Sequence, residues 1–346
     1  MLISGSGLFI VIAALAFDAL IGDPDWLWRR LGHPVAWIGA LIGVLDRRFN
    51  REDRSQQERK MAGIAGTAAM VAISATVGAL IQTTVQQLPM GNWVVALIAS
   101  IFLAQRSLYQ HVALVRSAFA EGGIAGARKA VARIVGRDPE QLDEAGICRA
   151  AIESCAENFS DGVVAPVLWL ALLGLPGLIA YKAINTADSM IGHRTERYRS
   201  FGWAAARLDD LVNLVPARLS AVLLAIAAPI AGGSIGTSLS VVKRDATKHR
   251  SPNAGWPESA MAGALGVALA GPRSYATHKV DDPFLNTEAT HQIVPDDIGR
   301  ALDLYAAACV IEAALEALAD HLEAHLDIEA MLTIARSRQT TNASAA

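Results

Sequence analysis

Apolar positions in this chain gather into long uncharged runs separated by dense polar clusters, with little strand-type alternation. Residues 61–105 hold no charge in 45 positions, residues 163–181 none in 19, and residues 219–242 none in 24. A bilayer-crossing helix needs about 20 mostly apolar residues, so these runs predict membrane helices. Residues 1–22 form a further apolar segment. They lack a basic leader region and a small-residue cleavage site, which predicts a retained span. Asp18 lies near its end, either as a functional group or as a side chain reaching the interface. GDPDW, residues 22–26, stops the helix, because a residue before proline avoids the helical region.

Residues 33–46 carry only about 12 apolar positions, too few for a span of about 20. They predict an interfacial or re-entrant helix opened by Pro34, with His33 at its start. The stretch 47–60 contains six Lys or Arg residues and reads as a solvated cytoplasmic loop. The run 61–105 predicts two spans joined outside by QTTVQQLPMG, residues 82–91, with Gly63, Gly66 and Ala69 suited to close packing. Arg106 returns the chain to the inside. Residues 106–152 are soluble in character, and DPEQLDEAGICRAAIESCAEN predicts an Asp-capped helix with proline in its first turn. Residues 163–181, with GLPG inside, are either one kinked span or a tight re-entrant hairpin. Residues 219–242, with Pro229 and Gly232–Gly233, pose the same choice. Pro257 and Glu258 mark a helix start, and residues 301–335 are helical in pattern.

Composition agrees with the runs. The chain is 53% hydrophobic and 18% charged, with a mean hydropathy of +0.33, against about 25% charged in soluble domains. The expected architecture is an all-α polytopic membrane protein with cytoplasmic loops, re-entrant segments being an open alternative. It is expected to form one integral membrane catalytic domain over residues 1–338, with a flexible tail at 339–346. Cys148, Cys155 and Cys309 lack metal spacing and read as reduced, packed thiols. A net charge of −3 gives no reason to expect nucleic acid.

The chemistry concentrates in residues 153–218. Glu153, Glu157 and Asp161 share one helix face, a repulsive arrangement that a cation or basic partner would relieve. Lys182, Asn185 and Asp188 follow the apolar run, then Arg194, then Asp209, Asp210 and Asn213. Lys243, Arg244, Lys248 and Arg250 form a later basic group. Any one basic residue is adequately explained by membrane topology; the acidic sets are not, since acids do little to fix orientation. Carboxylates beside Lys and Arg suggest phosphate and Mg²⁺ chemistry. GIAGARKA, residues 123–130, is not a phosphate loop. His321 and His325 are spaced as on zinc helices but have no evident third ligand.

Several motifs carry a resemblance. ENFSDG (157–162), INTADSMIGHR (184–194), RLDDLVNLVPAR (207–218), SPNAGWPE (251–258), and the opening DALIGDP (18–24) and HPV (33–35) resemble the cobinamide-phosphate synthase family of cobalamin biosynthesis. The likeness covers nearly the whole chain. It implies an ATP-dependent amide ligase in a bacterial-type inner membrane, with its site on the cytoplasmic side. The substrates implied are the corrinoid adenosylcobyric acid and (R)-1-amino-2-propanol or its O-phosphate. Membrane lipid and other late cobalamin-pathway enzymes are the expected partners. On this reading Glu157, Asp161, Asp209 and Asp210 are catalytic candidates. Asp209, Asp210 and Asn213 are candidates for Mg²⁺. Lys182, Arg194, Lys243 and Arg244 are candidates for phosphate, and Asn158, Asn185 and Asn253 for polar substrate contacts. The residues alone also admit a Mg²⁺-dependent membrane transferase acting on a diphosphate, or a transporter with broken helices.

Overall fold

The computed structural model describes residues 5–135, 139–193, 195–274, 279–280 and 282–344. The chain opens with α1 (Gly5–Leu20), α2 (Asp25–Leu31) and α3 (Pro34–Phe49), the last begun by Pro34 as its composition requires. Then come α4 (Gln56–Val85), α5 (Gly91–Ser100), α6 (Gln105–Val131) and α7 (Glu144–Phe159). A π-helical turn, Ser160–Val164, leads into α8 (Ala165–Ile191). After it stand α9 (Trp203–Val212), α10 (Leu214–Ala227), α11 (Ile235–Asp245), α12 (Gly255–Leu265) and α13 (Pro295–Ser344). Two short antiparallel pairs lie between α12 and α13. In one, β1 (Leu269–Ala270) pairs with β4 (Phe284–Leu285); in the other, β2 (Arg273–Ser274) pairs with β3 (Lys279–Val280). Among the described residues, four helical stretches are long and apolar enough to cross a membrane: Gln56–Val85, Gly91–Val131, Glu144–Ile191 and Leu214–Ala231. The protein is an all-α polytopic membrane protein.

The choice left open at residues 163–181 resolves to a hairpin. Gly174 has φ 68° and ψ −157°, outside any helix. The Tyr181 hydroxyl lies 3.0 Å from the Asp161 carbonyl, whereas a straight helix would hold residues 20 apart about 30 Å from each other. At the tip, the Leu175 N–H donates to Gln82 Oε1 at 2.8 Å. A Cβ on Gly78 would stand 2.7 Å from the Leu175 carbonyl oxygen; the small residue in α4 lets the two backbones touch. Residues 219–242 likewise divide. Gly232 turns at φ 78°, and α10 and α11 both pack on α12.

Three apolar clusters result. One is built by α6, α7, α10, α12 and α13 around Phe159, Leu224, Met261 and Tyr305. The second joins α1, α5 and the α8 hairpin, with α1 alongside α5 and Phe9 edge-on to Trp93 at 4.8 Å. The third, around Ile42, Met70, Ala187 and Phe201, joins α3 and α4 to the end of α8.

Three local expectations need correction. The helix expected from Asp138 starts at Glu144, capped by Asp143, whose Oδ1 accepts the Gly146 N–H at 2.8 Å. Pro139 instead sits in the preceding turn, where the Leu142 N–H donates to its carbonyl. The stretch 47–60 is not wholly a solvated loop: α4 already begins at Gln56 with a Ser55–Glu58 capping box. Asp46, Asn50 and Arg59 are buried, and Asp46 accepts from Arg197 at 2.8 Å and from Asn50 at 2.7 Å. The buried carboxylate of Asp18 accepts the Gln105 backbone N–H at 2.7 Å. It thereby caps α6, whose own N-cap residue, Ala104, has no side-chain oxygen.

Candidate active site

The site forms where the α8 hairpin, α9 and the start of α12 meet. Its first component is the π-helical turn, a rare form that recurs at functional sites. Gly162 permits the turn to dock closely: its carbonyl accepts the Ala104 N–H at 3.0 Å, and a Cβ there would stand 3.2 Å from the Ala104 methyl. The turn carries Asp161. The charges that Asp161 feels are the carboxylates of Asp209 and Glu157 and the ammonium of Lys182. The returning arm of the hairpin thus brings one ammonium, Lys182, within electrostatic reach of Asp161.

That arm also brings Tyr181 and Asn185. Tyr181 is fully buried, with its hydroxyl 3.0 Å from both the Asp161 carbonyl and Asn213 Oδ1. Asn185 Nδ2 donates to Asp209 Oδ1 at 3.4 Å. Asp209 and Asn213 are buried, and the Nδ2 of Asn213 makes no hydrogen bond. Burial pushes the Asp209 carboxyl up to about 7. The neighbouring Asp188 carboxylate adds to the rise, and the Asn185 amide, which donates to Oδ1, opposes it. A carboxyl with that value exchanges its proton near neutrality, as a general acid or base requires.

The 251–258 motif closes another side. Asn253 Nδ2 donates to the Asp210 carbonyl at 2.8 Å, and Arg218 donates to Asn253 Oδ1 at 2.9 Å. The Arg218 guanidinium also lies over the Trp256 ring at 4.2 Å, a cation–π contact. Asp210 pairs loosely with Arg207 at 3.4 Å.

Of the residues singled out in the sequence, Asp161, Lys182, Asn185, Asp209, Asp210, Asn213 and Asn253 are thus joined by contact or electrostatic reach, with Glu157 exposed at the margin. Asn158, one position around the helix from Glu157, donates to the Ser154 carbonyl and faces a separate polar cleft with His111 and Arg133. Glu153 accepts the Ala270 N–H at 2.7 Å and anchors β1. Arg244 is engaged with Asp245 and Asn286, and Lys243 stands exposed beside it on α11. Arg194 lies outside the described residues. Sequence reasoning missed Tyr181 and undervalued Asp188 and Arg218. The one signal for Tyr181 was a phenol placed directly before Lys182 at the end of an apolar run.

The donors gathered here are chiefly carboxylates, amides, a phenol and the Lys182 amine, with the His193 and His249 imidazoles near Asp188 and Glu258. Among the described residues, no group of three or more His, Cys, Asp or Glu side chains is arranged to hold a metal ion by itself. An oxygen-rich but incomplete shell suits Mg²⁺, which keeps waters and takes its remaining ligands from phosphates.

Fold and site together define a polytopic helical membrane protein whose polar centre is assembled from four separate motifs. Residues 11–305 match the family described as CobD/Cbib protein. The chain is 50% identical over 309 residues to the cobalamin biosynthesis protein CobD of a Sinorhizobium species, covering 88% of this chain and 96% of the relative. It is 48% identical over 307 residues to the protein of the same name from Rhizobium meliloti strain 1021, covering 88% and 94%. Against that of Rhodobacter capsulatus the figures are 49% over 300 residues, 86% and 92%. The chain belongs to the CobD/CbiB family, the cobalamin-biosynthesis family that its motifs resemble. No solved structure matches it.

Proposed function

We propose that this protein joins adenosylcobyric acid to (R)-1-amino-2-propanol, or to its O-phosphate, in an ATP-dependent amide ligation. The observation that carries the reading is the convergence of Asp161, Lys182, Asn185, Asp209, Asn213 and Asn253 at one place. A carboxylate cannot be displaced by an amine directly, because oxide is a poor leaving group. Transfer of the ATP γ-phosphoryl group to the corrinoid carboxylate makes an acyl phosphate. The amine nitrogen then attacks the carbonyl carbon, the C–O bond to phosphate breaks, and phosphate departs with the second amine proton.

Mg²⁺, when bound, neutralises charge on the transferring phosphoryl group. Asp209, Asp210 and Asn213 would contribute to holding it, with phosphate and water completing the shell. Lys182 places an ammonium beside the same carboxylates, where it can meet a phosphate oxygen. Asp209, with its carboxyl near 7, would give up its proton on meeting the ion, which leaves Asp161 or Glu157 as the carboxylate to take the first proton from the substrate ammonium. Asn185 and Asn253 orient their neighbouring carboxylate and helix terminus and offer amides to the substrate. The basic stretch 47–60 favours a cytoplasmic site in a bacterial-type inner membrane, where ATP is available. Membrane lipid then surrounds the helices, and other late cobalamin-pathway enzymes are the natural suppliers and consumers of the corrinoid.

The test is direct. Purified protein in detergent receives adenosylcobyric acid, ATP, Mg²⁺ and either amine. Mass spectrometry should find an amide product that requires both ATP and Mg²⁺. Folded protein that yields no amide with either amine would end this reading.

A further inference from the structure

The polar cleft that Asn158 lines takes no part in the ligation scheme above. Its volume is about 360 Å³, within the range of about 300–1,000 Å³ usual for small-molecule sites. Its walls are α6, the turn after α6, and α7. Ser154 braces them: its hydroxyl donates to the Ile134 carbonyl at 2.9 Å and accepts from Asn158 Nδ2 at 3.2 Å. Asn158 Nδ2 also donates to the Ser154 carbonyl at 2.9 Å. Both bonds use the amide nitrogen, and Oδ1 has no partner among the described residues.

The other polar groups are also set and unspent. His111 Nδ1 lies 2.7 Å from the Ser107 carbonyl. A carbonyl only accepts, so Nδ1 carries the hydrogen and the neutral ring keeps its lone pair on Nε2. That atom has no partner among the described residues. Arg133 brings a guanidinium that makes no hydrogen bond or ion pair among the described residues. Among those residues no carboxylate lines the cleft, and Leu108, Ile134 and Val135 supply apolar wall. One unpaired cation, two unspent acceptors and an apolar wall are complementary to a ligand with an anionic end, hydroxyl groups and a flat apolar face. A nucleotide has all three.

The cleft adjoins the catalytic centre. Ala104 lines it, and the Ala104 N–H donates to the Gly162 carbonyl of the π turn at 3.0 Å. Asn158 and Asp161 are three residues apart on the continuous α7–π helix, a spacing that brings Cβ atoms to about 5–6 Å. The centre itself gathers several carboxylates around one ammonium, Lys182, a poor environment for a polyanion. A triphosphate anchored on the cationic cleft and reaching one helical turn into the centre avoids that repulsion along most of its length.

We propose that this cleft binds the nucleotide of ATP, with Arg133 on its phosphates and with Asn158 Oδ1 and His111 Nε2 accepting from its ribose hydroxyls. The proposal rests on the amide-ligation reading, and a binding measurement separates the two. Calorimetry with Mg²⁺ and a non-hydrolysable ATP analogue, on the full chain in detergent, should show binding that Arg133→Gln weakens about 10- to 100-fold, the effect of losing a charge-assisted hydrogen bond. Arg133→Lys should recover part of the loss. His111→Phe, which removes one acceptor, should weaken binding about threefold or more. Melting temperatures and the binding of 1-amino-2-propanol should not change, since neither side chain holds another element in place. Equal nucleotide binding by wild type and Arg133→Gln, or none by wild type, overturns the proposal. So does a loss confined to aminopropanol O-phosphate, which would give the cleft to the amine's phosphate. If Arg133→Gln does not fold, unchanged binding by His111→Phe overturns it. Nucleotide binding that depends on Arg133, without any amide product from wild type, would count against the ligation reading alone.

Discussion

The phenolic oxygen of Tyr181 stands 3.0 Å from the carbonyl oxygen of Asp161, 20 residues earlier in the chain. That contact closes the α8 hairpin and places the π turn beside α9, because the same hydroxyl reaches Asn213. Tyr181→Phe keeps the packing and removes the polar bridge. It should cost about 1–3 kcal/mol, since Asn213 is left buried with one fewer partner. A lowered melting temperature with retained monodispersity in detergent is the expected result. An unchanged melting temperature would show that the hairpin does not depend on the bridge.

Asp209 gives a prediction with two opposite signs. Its carboxyl is raised from 3.8 to about 7, so the folded state holds the proton more tightly than the unfolded chain. Its contribution therefore favours the fold at low pH and declines as pH rises from about 4 through about 7. Asp209→Asn should match or exceed wild-type thermal stability at pH 8 while lowering amide turnover by at least about 100-fold. In wild type, Mg²⁺ binding should strengthen as pH rises through about 7, with proton release measurable by calorimetry in buffers of different ionisation enthalpy. Near-normal turnover by the variant would remove Asp209 from the chemistry.

Asp245 behaves in the reverse sense. Its burial works to raise the carboxyl, but Arg244, Lys248 and the Asn286 N–H outweigh it and hold the group at about 2, below 3.8. The resulting stability, about 2 kcal/mol, is complete above about pH 5 and is lost as pH falls toward about 2. Melting curves between pH 7 and pH 3 should show a component that Asp245→Asn eliminates. If the acid dependence of the two proteins is the same, the pairing contributes nothing.

The contact between α4 and the hairpin tip is backbone to backbone. A side chain at position 78 would meet Leu175 and Pro176 main-chain atoms at 2.7–2.8 Å, and neither can rotate away. Gly78→Val should destabilise by about 1–3 kcal/mol or more, whereas Gly66→Ala, where no atom lies within 4 Å, should be tolerated. Similar melting temperatures for both would refute the close approach.

Much of the site was legible because its residues occur in motifs that are polar against an apolar background. Asp161, Asn185, Asp209, Asn213 and Asn253 stood out for that reason. Tyr181 did not, since a tyrosine closing an apolar run is unremarkable until its partner is known. Glu153 and Asp161 looked equivalent on one helix face, yet one anchors β1 through Ala270 and the other faces Lys182. Arg244 looked like a free phosphate ligand; it pairs with its neighbour Asp245, and its further contact with Asn286 depends on the turn after β4, some 40 residues later.

By itself the sequence determined the all-helical membrane architecture, the helix starts at Pro34 and near Pro257, and the breaks at Gly174 and Gly232. These follow from hydrophobic run length and from backbone restrictions carried by single residues. Tertiary structure alone decided that the break at Gly174 is a reversal, that Asp18 caps α6, and which carboxylates remain for chemistry. Local spacing says which groups share a face; only the long-range fold says which of those groups already have a partner.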